Sequence, residues 1–149
     1  MVREEGILHG TGFLSTTKIF IKLVNQFQMS KKKTLVIGAS QNPSRYSYLA
    51  VQKLNAHQHP VVAIGLRKGV VAGTEIDTEK KPFEDVDTVT LYLNPSRQKE
   101  YYDYIFSLAP KRIIFNPGTE NDELAELAAT KNIKTMEACT LVMLGTGQY

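Results

Sequence analysis

With one cysteine and three histidines, and without a long apolar run, the chain is short of whole classes of chemistry. The lone Cys139 excludes an internal disulfide and an all-cysteine metal site, and it fits a reducing compartment such as the cytoplasm. No apolar stretch approaches the roughly 20 residues that cross a bilayer, so no membrane partner is expected. A formal charge of +3 is too small to argue for nucleic acid. The only basic run, Lys31, Lys32 and Lys33, reads as the solvated entrance to a strand. His57 and His59 read as a helix end, and His9 stands apart from every motif below. No His/Cys/carboxylate group has metal-ligand spacing, so no metal is expected, and catalytic groups are scarce, which favours a non-catalytic role without deciding it.

What is present is an ordinary globular composition, 42% hydrophobic and 22% charged over 149 residues, the size of one domain. The first 28 residues differ from the rest. Gly6, Gly10 and Gly12 interrupt them, and a short apolar patch from Ile19 to Phe27 is broken by Lys18 and Lys22. Met29 therefore reads as the start of the folded part, with residues 1–28 an upstream or loosely attached extension. The competing reading is an amphipathic helix over 17–28 that docks on a partner subunit.

From Lys33 onward, strand and helix patterns alternate. Strands are expected at 34–37, 61–64, within 86–93, at 112–115 and at 132–136. Helices are expected at 44–57, after the Asn94-Pro95 start, at 121–131 and from Cys139. Inward-facing positions are Tyr46, Leu49, Ala50 and Leu54 on the first helix, and Leu124, Leu127 and Ala128 on the third. Glycines at 65, 69 and 73 mark an irregular connection. Such alternation builds an α/β fold: a single Rossmann-like, doubly wound, parallel five-stranded sheet, here expected in the order 3-2-1-4-5. In that order the loops after strands one and four, 38–45 and 116–119, flank the ligand crevice.

The first of these loops carries the strongest signal. Gly38, Ala39 and Ser40 let backbone N–H groups approach a phosphate, Ser44 adds a hydroxyl and Arg45 a planar cation. The alternative is a tight turn with Ser44 capping a helix. The pattern is neither G-x-G-x-x-G nor a P-loop. After the second strand, where an NAD site places a carboxylate, stand Arg67 and Lys68, which attract a phosphorylated ribose: the 3′-phosphate of coenzyme A or the 2′-phosphate of NADP.

Residues 33–144 resemble the small CoA-binding domain family, a Rossmann-like group similar to the nucleotide domain of the succinyl-CoA synthetase α subunit. The matching pieces are Val36-Ile-Gly-Ala-Ser40 with Asn42-Pro43, the segment 61–67, Gly73 and Pro82, the strand 87–91, Pro117-Gly118, and Cys139. The chain departs from the family at Leu66-Arg67, where an Asn-Pro is usual, and at Phe115-Asn116. No histidine follows strand four or five, where the synthetase has its phosphohistidine, so ligase chemistry is not expected. The resemblance implies non-catalytic binding of coenzyme A or an acyl-CoA by residues 29–149. The contacts expected are Gly38, Ala39, Ser40, Asn42, Ser44, Arg45, Arg67, Lys68, Asn116, Pro117, Gly118 and Thr119. An NADP-binding, reductase-like protein and an interaction module that has lost its ligand are the alternatives. Cys139 reads as a small buried residue. Tyr101, Tyr102 and Tyr104 offer more aromatic surface than one helix face can bury, which would suit a homodimer.

Overall fold

The computed structural model describes residues 16–24 and 31–149. The chain divides into two compact units, residues 1–31 and 32–149. In the first unit, residues 16–24 form a helix, α1, exposed along its length. Residues 25–28 of the expected helix lie outside the described residues. None of the described helices is long and apolar enough to cross a membrane.

The second unit opens with β1 (Thr34–Ala39), whose apolar run is buried on both faces. It is followed by α2 (Tyr46–Ala56), β2 (Val61–Gly65), β3 (Gly69–Val71), β4 (Thr74–Asp77) and β5 (Thr88–Leu91). Next comes α3 (Pro95–Gln98), which runs through a single 3₁₀ turn into α4 (Tyr102–Leu108). The chain ends with β6 (Arg112–Phe115), α5 (Asp122–Ala129), β7 (Lys134–Glu137) and α6 (Thr140–Gly145). Asn94 starts α3 as its residue type suggests, its side chain accepting from Arg97 N with Pro95 at the first turn. Asn121 does the same for α5 through Leu124 N.

The sheet has seven strands in the order β3-β4-β2-β1-β5-β6-β7, all parallel except β3. The α/β class stands, but the expected order 3-2-1-4-5 needs correction. The segment read as an irregular connection is a hairpin: Val71 pairs with Thr74 across Ala72 and Gly73, both at positive φ (+47° and +80°). Two such residues make the tight primed turn that suits a twisted antiparallel pair. Its second strand, β4, takes the place beside β2 assigned to the third expected strand. That strand, β5, pairs instead on the far side of β1. The chain therefore reverses direction between β1 and β5, and the crevice lies there.

Strand alternation sorts the core into two layers. Leu35, Ile37, Val89, Leu91, Ile113 and Phe115 pack with Ile105 of α4 and with Leu124 and Ala128 of α5. Val36 and Ala63 pack with Val51 and Leu54 of α2 and Leu144 of α6. Three expected inward positions face outward: Tyr46 is 72% exposed, Leu49 40% and Leu127 39%. Val51 takes the place of Leu49 on the buried side of α2. The tyrosines after α3 are used internally. Tyr104 donates to Lys81 O, Tyr102 Oη accepts from Asn121, and Lys80 lies over the Tyr101 ring.

Gly65 closes β2 under the carbonyl of Ala39, where a Cβ would lie 2.2 Å from that oxygen. Backbone cannot yield as a side-chain tip can. Gly65→Ala should therefore destabilise the domain by about 1–3 kcal/mol, read as a lower urea midpoint at unchanged m-value.

Candidate functional site

The site begins with a break in register. β1 and β2 pair without interruption from Thr34 to Ile37, then skip, so that Ala39 rather than Gly38 opposes Gly65. Gly38 sits at φ +93°, and a Cβ on it would meet the backbone carbon and oxygen of Tyr92 at 3.0 Å. The ends of β1 and β5 thus approach more closely than any side chain at 38 would allow. Tyr92 N donates to Ile37 O at 2.9 Å across the same junction.

Beyond Gly38 the polar side chains organise the loop itself. Ser40 Oγ accepts from Asn42 N at 3.0 Å. Asn42 Oδ1 accepts from Ser44 N at 3.0 Å and from Ser44 Oγ at 2.8 Å. Arg45 N donates to Asn42 O. Arg45, extended at φ −87° and ψ 140°, occupies the cap position of α2 without a side-chain cap bond, and the first turn holds no acidic residue. Ser44 is therefore not the cap; it is held by Asn42. The N-terminus of an eleven-residue helix is left with neither cap nor carboxylate, while its dipole and N–H groups favour an anion. Arg45 is exposed beside it, and Arg67 and Lys68 are exposed on the turn that leaves β2.

The second expected loop is of another kind. Asn116 is buried and its amide is engaged on every side. Nδ2 donates to Thr90 Oγ1 at 2.6 Å and to Leu91 O at 2.9 Å, and Oδ1 accepts from Thr140 N at 2.9 Å. Thr119 is buried with its hydroxyl on Asn116 O. The Gly118 N–H already meets the Glu120 carboxylate at 2.9 and 3.0 Å. The backbone N–H groups of Glu120 and Gly118 hold that carboxyl below its ordinary value. Pro117 and Gly118 are exposed on the same edge of the sheet, one strand out from the crevice.

Sequence reasoning missed Tyr92, the first residue beyond β5 at the crevice. Its hydroxyl is buried near Thr90 and Thr140, which bond each other at 2.8 Å, and it makes no hydrogen bond itself. Burial pushes it well above the usual tyrosine value. Cys139 is half-buried at the start of α6. His57 ends α2, and the buried His59 accepts from Lys32 N at the opposite edge of the sheet. His9 lies outside the described residues. Among the described residues no three His, Cys, Asp or Glu side chains could share a metal ion.

A family profile described as a CoA binding domain matches residues 32–145. A crystal structure of an uncharacterised protein is 50% identical over 80% of this chain and 98% of its own, with a TM-score of 0.78. A hypothetical protein from Pyrococcus horikoshii is 20% identical, covering 84% of this chain and 89% of its own with a TM-score of 0.71. A Thermus thermophilus protein is 16% identical, covering 86% and 98% with a TM-score of 0.69. These last two share the fold. No curated protein matches the chain.

Two outcomes test the geometry. Asn116→Ala strips partners from buried groups on β5 and α6 and should cost about 2–4 kcal/mol in urea unfolding. Burial raises Tyr92 and Tyr149, and raises Tyr104 to about 12. Above about pH 10 the unfolded chain releases protons that the native state keeps, so stability should fall with rising pH. Tyr92→Phe should make that loss shallower.

Proposed function

The chain belongs to the CoA-binding domain family, and from that premise we propose that it binds coenzyme A or an acyl-CoA without carrying out a reaction on it. The supporting observation is the uncapped, acid-free start of α2 directly after the Gly38 register break. A pyrophosphate there takes N–H groups from Gly38, Ala39, Ser40 and the first turn of α2. Arg45 supplies a charge that the fold leaves unengaged by any cap bond. Asn42 and Ser44 hold the loop in shape rather than reaching for the ligand, since their side chains bond each other. Arg67 and Lys68 meet the 3′-phosphate of the adenosine end. The outer wall comes from Asn116, Pro117, Gly118 and Thr119, with Asn116 and Thr119 acting through the shape they impose.

A binding role fits the residues at this edge. Both described histidines lie away from the crevice, the Tyr92 hydroxyl there is buried, and Cys139 is half-buried.

Calorimetric titration of CoA, with NADPH in parallel, tests the proposal. CoA should bind saturably and NADPH weakly. Arg45→Ala with Arg67→Ala should weaken CoA by roughly tenfold or more, at the scale of lost charge-assisted contacts. Undiminished CoA binding in the double variant would overturn the site. A response to NADPH alone would move the chain to the NADP reading, and silence with both ligands to a ligand-free interaction module.

A further inference from the structure

Three residues, Leu66, Arg67 and Lys68, connect β2 to β3, and the glycines on either side of them are both pressed by the loop after β1. At Gly65 the contact is the Ala39 carbonyl. At Gly69 it is the Gln41 side chain: a Cβ on Gly69 would lie 2.6 Å from Gln41 Oε1, 2.9 Å from its Cδ and 3.2 Å from its Cβ. Gln41 is itself exposed and belongs to neither core layer. Its reach to Gly69 follows from the register break, which carries the chain after Gly38 across the end of β2.

We propose that Gln41 is a positioning residue that sets where Arg67 and Lys68 stand relative to the α2 N-terminus, so that the site prefers a ligand with a 3′-phosphate, CoA, over dephospho-CoA. This rests on the reading of the site given above. The physical argument is one of spacing. A pyrophosphate and a 3′-phosphate on one ribose can be only a limited range of distances apart, so two anion grips help each other most when their separation is set beforehand within that range. A connection of three exposed residues has no core packing to hold it. The Gln41 side chain over Gly69, together with Ala39 over Gly65, pins both of its ends to the loop that meets the pyrophosphate.

The test is calorimetry of CoA and dephospho-CoA on the full chain and four variants, each checked for an unchanged melting temperature. The wild type should prefer CoA by about tenfold, the scale of one charge-assisted contact. Gln41→Ala should lose most of that preference by weakening CoA and should leave dephospho-CoA within about twofold. Gln41→Met keeps the length of the side chain over Gly69 and should retain the preference. Gly69→Ala displaces the tip of Gln41 and should act like Gln41→Ala. Arg67→Ala with Lys68→Ala should abolish the preference. If that last variant abolishes it while Gln41→Ala and Gly69→Ala leave it intact, the positioning role is overturned and the site stands. If the wild type binds both ligands equally, the 3′-phosphate grip itself falls, and the role of Gln41 with it.

Discussion

A side chain at residue 38 would press on the backbone of Tyr92 at 3.0 Å and have to adopt a φ of +93°, so a glycine near the end of β1 is what lets that end lie this close to the end of β5. The consequences run outward from that point. The register with β2 slips by one residue, the Ala39 carbonyl moves over Gly65, and the chain crosses the end of β2 before it can enter α2. The crossing then puts Gln41 on Gly69 and leaves Arg45, a residue with no capping oxygen, at the start of the helix. The uncapped helix end and the position of the basic turn trace back to one backbone conformation, not to a cluster of ligand-seeking side chains.

The two faces of the sheet are built on different principles. The α4/α5 face is apolar from β1 through β6. On the other face β5 and β6 present Thr88, Thr90, Arg112 and Ile114, with Asn116 just past β6, all buried. Hydrogen bonds carry much of the packing there. Asn116 ties β5 and β6 to the first N–H of α6, and Arg112 Nε donates to Thr88 Oγ1 at 2.7 Å while its guanidinium stacks 4.3 Å from the Tyr149 ring centroid. Tyr149 bonds Thr34 at the start of β1 and meets the edge of His59. The segment 140–149 is thus fixed near the crevice at Thr140 and at the opposite edge at Tyr149. The short helix α6 buries Met143 and Leu144, and polar contacts at Thr140 and Tyr149 fix the segment on either side of that apolar contact, so each lost bond there is costly.

Much of this was legible in the sequence, for identifiable reasons. Parallel strands buried on both faces read as mostly apolar runs, so β1, β2 and β6 could be placed from composition, and β5 by the β-branched Val and Thr within 86–93. The Asn94-Pro95 and Asn121 starts carry their capping chemistry in the residue type. The hairpin β3–β4 was hidden because its turn is Ala72-Gly73 rather than the Asn-Gly or Asp-Gly that announces a primed turn, and its strands have only three and four residues. Missing it moved the third strand to the wrong side of β1 and displaced the crevice from the β1/β5 junction. Asn116 was found as a residue that matters, but composition cannot tell an amide aimed at a ligand from one spent on a buried network. Tyr92 fell within the broad third-strand reading, and nothing in its neighbours signals a hydroxyl buried without a partner.

The helix starts make the electrostatic argument more specific than the loop motif does. α3 and α5 each satisfy their first turn with an asparagine side chain, and α5 adds Asp122 and Glu123. Even the Gly118 N–H, in a loop, has been given the Glu120 carboxylate. At α6, whose cap position Cys139 makes no cap bond, the buried Asn116 side chain accepts from Thr140 N instead. At α2 the polar side chains were available, since Ser40, Asn42 and Ser44 precede the helix, yet they bond one another and the loop backbone. An added acid at position 45 would serve stability through the helix dipole, and the residue that stands there is an arginine. The combination forgoes a fraction of a kilocalorie of helix stability and places positive potential at the one crevice the topology creates.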